Sequence, residues 1–202
     1  MKLKDVKLKD MKLEDMKLED EKFENGKFFI RAGEEKDILI ALAMRKKLFM
    51  DTGVPKEAFR DDMDSTLLQD YNEAYERKDM LHFFAYDREK DGQPAAVAGL
   101  LIKRDFPYYL FKPGYYGWVI DVYTEPEYRG NGLASRLLEK VKLWGLDKGV
   151  VELKLISASE NARRIYEKFG FRPTSEMSMN VGRQKTYNEF IDLGNEIKKY
   201  KK

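Results

Sequence analysis

Arg129, Gly130, Asn131, Gly132, Leu133 and Ala134 form a run whose residue types suit an anion. Glycine lacks Cβ, so two glycines this close let a tight turn aim several backbone N–H groups at one point. A helix opening after them adds the unpaired donors of its first turn and the positive end of its dipole, which favour phosphate or pyrophosphate. Arg129 adds a charge beside them. A glycine pattern alone also describes an ordinary turn with a solvated arginine, so the flanking elements must decide.

Those elements are legible. Trp118 to Thr124 is rich in β-branched and aromatic types, and Glu125-Pro126 ends that run by withholding a ladder donor, which predicts a strand. Leu133, Leu137, Leu138, Val141 and Trp144 recur at helical spacing, with Arg136, Glu139, Lys140 and Lys142 on the other face. Gly145 weakens the last turn and Gly149 stops the helix. Val150, Val151, Leu153, Leu155 and Ile156 predict a second strand, and Asn161 to Phe169 a short helix closed by Gly170 before Phe171 returns to β.

The stretch from Val119 to Phe171 resembles the GNAT superfamily of N-acetyltransferases. Arg129-x-x-Gly132-x-Ala134 stands at the family's pyrophosphate loop, and Tyr166-Glu167-Lys168-Phe169-Gly170-Phe171 at its helix motif Y-E-K-x-G-F. The resemblance covers the cofactor half of such a domain and leaves the acceptor side unmatched. It implies an α/β fold of mixed α+β type, a twisted mixed sheet flanked by helices, and acetyl-CoA as co-substrate without a metal. It implies that the backbone of Arg129, Gly130, Asn131, Gly132, Leu133 and Ala134 holds the pyrophosphate. Val122, Tyr123 and Thr124 would accompany the pantetheine arm, with main-chain groups of Val122 and Thr124 pairing to it as an added strand. An N–H near Val122 would meet the oxyanion, and Tyr166 would sit near the thioester sulfur.

Acetyl transfer needs a neutral amine, an oxyanion donor and a proton for the departing thiolate. Tyr166 suits the last role, although an isolated tyrosine on an amphipathic helix is ordinarily core. Asp121 and Glu125 are the nearest acidic candidates for the general base, and either could be merely solvated; Tyr116 is a third option. Strand alternation puts Asp121 on the face opposite Val122 and Thr124. The chain departs from the pattern at Ser159, where many family members carry asparagine. Ser159 could bond the pantetheine or cap the helix, Ser157 with Glu160 offers an alternative capping box, and Ala162 matches the family's small residue.

Composition is compatible. A chain of 202 residues, 43% hydrophobic, suffices for one domain with a sizeable core. A formal charge of +2 from 38 basic and 36 acidic residues excludes a strong field toward nucleic acid or an anionic membrane. The absence of cysteine removes disulfides, thiolate metal sites and a covalent cysteine relay, and the single His82, in a predicted strand Leu81 to Tyr86, reads as structural. No long apolar run or signal pattern is present, so a cytoplasmic protein is expected.

Residues 1–26 differ in texture, a K-L-K/E-D-V/M pentad whose apolar positions share no helical or strand face. Residues 1–27 carry eight lysines against eight acids, and the segment reads as a flexible extension ahead of a catalytic domain over 27–202. That domain is predicted to begin with a strand at Phe28 to Arg31, a helix from Ile38 ending near Gly53, and a second helix restarted by Pro55. Asp91-Gly92 then joins a hairpin of Leu81 to Tyr86 with Ala95 to Lys103. Asp105 to Trp118 is unusually aromatic for a loop and suits equally an acceptor-pocket lid, where rings could hold a cationic amine, or a homodimer interface. The tail from Thr186 to Lys202 predicts a helix. Taken together, the residues predict direct acetyl transfer from acetyl-CoA to a primary amine of a small molecule or peptide. The alternative is a non-catalytic acyl-CoA-binding sensor or interaction module.

Overall fold

β-Branched, aromatic and small residues alternate between two cores, and that alternation sets the architecture. The computed structural model describes residues 21–22, 26–56, 59, 61–106, 114–157, 159–174, 176–177 and 179. The pentad repeat before residue 21, residues 107–113 of the aromatic segment and the tail beyond 179 lie outside the described residues. Ten elements run in the order β1 (Glu21–Lys22), β2 (Phe28–Ala32), α1 (Ile38–Asp51), α2 (Met63–Glu76), β3 (Met80–Asp87), β4 (Gln93–Arg104), β5 (Tyr115–Thr124), α3 (Leu133–Asp147), β6 (Leu153–Lys154) and α4 (Glu160–Phe169). The strands form one sheet in sequence order, antiparallel from β1 to β5, with β6 added parallel to β5 across the α3 connection. The sheet is therefore mixed and flanked by helices.

In β3 the side chains split by period two: Phe83 and Ala85 join one core, Phe84 and Tyr86 the other. Leu133, Leu137, Leu138 and Val141, the apolar stripe of α3, cover the first face over Phe28, Ala98 and Leu100. Ile38, Ala41, Leu42 and Met44 of α1, with Tyr71 and Ala74 of α2, cover the second over Val97 and Tyr123. Full burial of each such leucine stabilises the fold by about 1.5–3 kcal/mol. Among the described residues no helix is long and apolar enough to cross a membrane.

Four elements differ from the sequence reading. The second helix begins at Met63 rather than near Pro55. Tyr115 to Gly117, placed by composition in a loop, are the first residues of β5, ahead of the strand expected from Trp118. Gly117 permits this, since a Cβ there would stand 2.7 Å from Leu153 and 2.8 Å from Leu100. The predicted strand from Val150 to Ile156 shrinks to Leu153–Lys154. Glu21–Lys22, at the end of the extension, pairs with Phe29 and Ile30 of β2.

Candidate active site

The short β6 matters because it leaves a cleft. β5 pairs with it only at Gly117↔Leu153 and Trp118↔Lys154, and then runs on to Thr124 while the chain after Lys154 turns away. A cavity of about 200 Å³ opens where the two part, walled by Trp118 to Val122 on one side and by Leu155, Ser159, Ala162 and Tyr166 on the other, with Arg45 and Phe49 of α1 beneath. A larger hollow of about 850 Å³ lies between β6 and α4 and shares Leu155 and Tyr166 with the first, but no residue of β5 borders it, whereas Trp118 to Val122 wall the smaller cavity.

A bulge shapes the β5 wall. The register with β4 shifts between Val97 and Gly99, and opposite it Asp121 adopts φ 56°, a left-handed conformation rare for a residue with a side chain. Gly117 donates its N–H to the Glu152 carbonyl on the β6 side, whereas Glu125, also odd-numbered, donates to Ala95 of β4. In a regular strand residues an even number apart face the same neighbour, so the extra residue has exchanged the two sets. Beyond the bulge Val122 and Thr124 turn their main-chain groups toward the edge that β6 has left.

The glycine run follows directly. A 3₁₀ turn, Pro126–Tyr128, is pinned by the buried Tyr128, whose ring meets Phe28 edge-on at 5.8 Å. Gly130 and Gly132 hold φ 84° and 72°, and α3 starts at Leu133 with no side chain capping it and no acid in its first turn. A Cβ at either glycine would meet nothing within 4 Å. Backbone conformation, not crowding, demands glycine there, and the space above the first-turn amides is open. Asn131 Nδ2 braces the loop on the Tyr128 carbonyl at 2.9 Å. Arg129, expected as a charge standing beside the anion, is instead engaged: Nε donates to the Thr124 carbonyl at 3.0 Å and Nη2 pairs with Asp51 at the end of α1. Its guanidinium clamps the loop onto β5 and α1.

Across the cleft, Ser159 caps α4 by accepting the Ala162 N–H at 3.2 Å, and Gly170 closes the helix at φ 110°. The alternative box is not formed, because Ser157 Oγ bonds the Ser159 carbonyl. Tyr166 is the buried residue of α4, 8% exposed, its ring edge-on to Phe171 at 5.9 Å. Its hydroxyl makes no hydrogen bond to a described residue, and burial pushes its pKa up to about 12, so the phenol keeps its proton at neutral pH.

Neither acidic candidate is free. The Asp121 side chain is fully buried, accepting from Arg45 Nη1 on Oδ1 and from Tyr71 Oη and His82 Nε2 on Oδ2, the last at 2.9 Å. Since an ionised carboxylate only accepts, His82 donates through Nε2; its Nδ1 is hydrogen-bonded to Tyr75 Oη at 2.8 Å, and that oxygen also accepts the His82 backbone N–H. Burial alone would raise the Asp121 pKa, but the His82 hydrogen bond and the Arg45 charge outweigh it and hold it below the usual carboxylate range. A folded pKa below the unfolded value of about 3.9 gives stability that is present above that pH and lost as pH falls through the folded value. Denaturation midpoints are thus expected to drop below about pH 4, and Asp121→Asn to flatten that limb; a limb untouched by the substitution contradicts the assignment. Glu125 pairs with Lys47 Nζ and does not line the cleft. Tyr116 lies under Lys154, 4.9 Å from the ring centroid. Sequence reading missed Arg45, Tyr71 and Tyr75 as partners of this site; the one signal was Gly99 inside a strand, a mark of bulge or close approach.

Residues 47–171 match the Acetyltransferase (GNAT) family. The chain belongs to that family. Two relatives, the thialysine N-epsilon-acetyltransferases of Bos taurus and Sus scrofa, are 38% and 36% identical over 58 residues. That shared stretch is 28% of this chain and about a third of theirs, 34%. Among solved GNAT-like structures, a predicted acetyltransferase of Clostridium acetobutylicum crystallised with acetyl-CoA superposes with TM-score 0.69 at 26% identity, over 76% of this chain and 96% of that one. Glucosamine-6-phosphate N-acetyltransferase of Arabidopsis thaliana superposes with TM-score 0.57 at 22% identity, over 77% and 99%, a likeness of fold.

Proposed function

We propose that this GNAT chain transfers an acetyl group from acetyl-CoA directly to a primary amine. The observation that carries the reading is the cleft between β5 and β6, walled by the bulged β5 on one side and by the protonated Tyr166 on the other, with the uncapped N-terminus of α3 following β5 in the chain. The residues fit the co-substrate: open space over the left-handed glycines suits a pyrophosphate, and the β5 edge at Val122 and Thr124, where the Thr124 carbonyl keeps one lone pair beyond its bond from Arg129, suits a pantetheine amide. Acetyl-CoA, when bound, supplies the activated acetyl group. The Val122 N–H donates to the carbonyl oxygen as charge grows on it, and the Tyr166 hydroxyl gives its proton to the leaving sulfur. Asp121 is the one carboxylate among the described cleft residues and its oxygens are taken, so the amine's proton leaves to water. The saturated carboxylates are also what a binding module without turnover would show. Release of free thiol that depends on an amine distinguishes the two.

The acceptor side favours an amine that also carries a negative group. Arg104, Lys154 and Lys103 already cover the rings of Tyr115, Tyr116 and Trp118, with Lys103 Nζ 4.6 Å from the Trp118 centroid. Residues 106–118 contain a further lysine, Lys112, and no acid. The faces of Tyr115, Tyr116 and Trp118 are thus occupied, and a polycationic acceptor near them meets like charge. We expect lysine or thialysine, each bearing a carboxylate, to exceed an aminoglycoside in kcat/KM by about tenfold or more, the worth of one well-placed charge pair. A steady-state comparison checks this, and the reverse order would refute it.

A further inference from the structure

We infer that Asp121 is a positioning residue: anchored by Arg45, Tyr71 and His82, it holds the β5 bulge and thereby aims the Val122 N–H into the cleft. The inference rests on reading that cleft as the thioester site. An L-residue at φ 56° persists only where its surroundings over-determine it. Here they do, because the carboxylate is held from three elements at once: Arg45 on α1, Tyr71 on α2 and His82 on β3. His82 is itself fixed by Tyr75 through both its ring and its N–H.

The strand opposite is shaped to admit this cluster. A Cβ on Gly99 would stand 2.5 Å from His82 Cδ2 and 2.6 Å from Nε2, so only glycine lets the imidazole reach Asp121. Gly99 is also where the β4–β5 register shifts, opposite Ile120. The side chains record the same displacement. Val119 and Val122 pack toward α3, while Ile120 and Tyr123 pack toward α1 and α2, with Asp121 between them reaching the same helices. The carboxylate therefore points away from the open edge that its own backbone helps to form. It acts on the reaction through the peptide that follows it, and does not touch the amine.

The test uses the full chain and its Asp121→Ala, Asp121→Asn and Tyr71→Phe variants. Acetyl-CoA labelled with ¹³C at the carbonyl is bound to each, the carbonyl stretch is read by difference infrared spectroscopy, and kcat and the coenzyme A Kd are measured alongside. In the wild type the stretch falls below its value in water, because an aimed N–H polarises the bond. Asp121→Ala should return it most of the way and lower kcat about a hundredfold, the scale of a misplaced oxyanion donor, with Kd within about threefold. Asp121→Asn, which tolerates the left-handed backbone and can still accept from His82, should keep more activity than Asp121→Ala. Tyr71→Phe removes one anchor, is the variant least able to unfold the protein, and should fall between.

Equal loss in Asp121→Asn and Asp121→Ala with an unchanged carbonyl stretch would make Asp121 a base and overturn the inference. Unchanged stretch and kcat in folded Tyr71→Phe and Asp121→Ala would overturn it as well. A shifted stretch that relaxes in the variants, in a protein that acetylates no amine, would sustain the positioning role while removing the transferase reading. No binding of acetyl-CoA by the wild type would remove both.

Discussion

Gly132→Glu should raise the acetyl-CoA Kd by about a hundredfold while leaving the chain folded. Residue 132 holds φ 72° at the N-cap of α3, and a side chain there costs about 1–2 kcal/mol of backbone strain. The larger effect is on the ligand. The added carboxylate would occupy the open space above the first-turn amides, satisfy donors meant for the pyrophosphate and place like charge within about 4 Å of it, worth about another 2–3 kcal/mol. The strain is present with and without ligand, so the ligand effect alone sets the shift, about 2–3 kcal/mol or two decades in Kd. The same carboxylate suits a helix N-terminus, so the melting temperature should fall by no more than a few degrees. Calorimetric titration with acetyl-CoA and a thermal melt check both parts; binding within tenfold of wild type would place the pyrophosphate elsewhere.

Tyr166→Phe should lower kcat by about a hundredfold or more, the usual contribution of a positioned general acid, with the acetyl-CoA Kd little changed. The ring stays, so its edge-on contact with Phe171 and the packing of α4 survive the substitution. The pH dependence separates this role from a structural one. Burial raises the phenol's pKa to about 12, and the protonated form is the active one, so its contribution persists as pH rises until that value is approached. Any alkaline limb near pH 8–10 would belong to the amine or another group and should remain in Tyr166→Phe. Steady-state kinetics across that range decide it. A variant with wild-type kcat would show that the thiolate leaves without help from α4.

Much of this site was legible from local pattern. The glycine run, the α3 stripe and the Tyr166 motif each depend on residues within about two helical turns of one another, the range over which sequence periodicity speaks. What stayed hidden is long-range. Arg129 finds Asp51, 78 residues away, and Asp121 finds Arg45, 76 residues away. No composition rule foretells either pair, and both change a role: one charge becomes a clamp and one candidate base becomes an anchor. The bulge has the same origin. Trp118 to Thr124 reads as a regular strand, and only the demand of three partners, Arg45, Tyr71 and His82, on Asp121 forces the left-handed residue that breaks its alternation. Tyr115 and Tyr116 point the other way: aromatic types favour strands, and crowding at Gly117 gave the better clue than loop composition did.

The most direct test follows thiol release from acetyl-CoA by the wild-type chain with lysine or thialysine as acceptor, with Gly132→Glu measured beside it. Release that depends on the amine and disappears in the variant is the result expected of a transferase built on the β5–β6 cleft. Equal release by both proteins, or acetyl-CoA binding with no amine-dependent release from any acceptor, would contradict it.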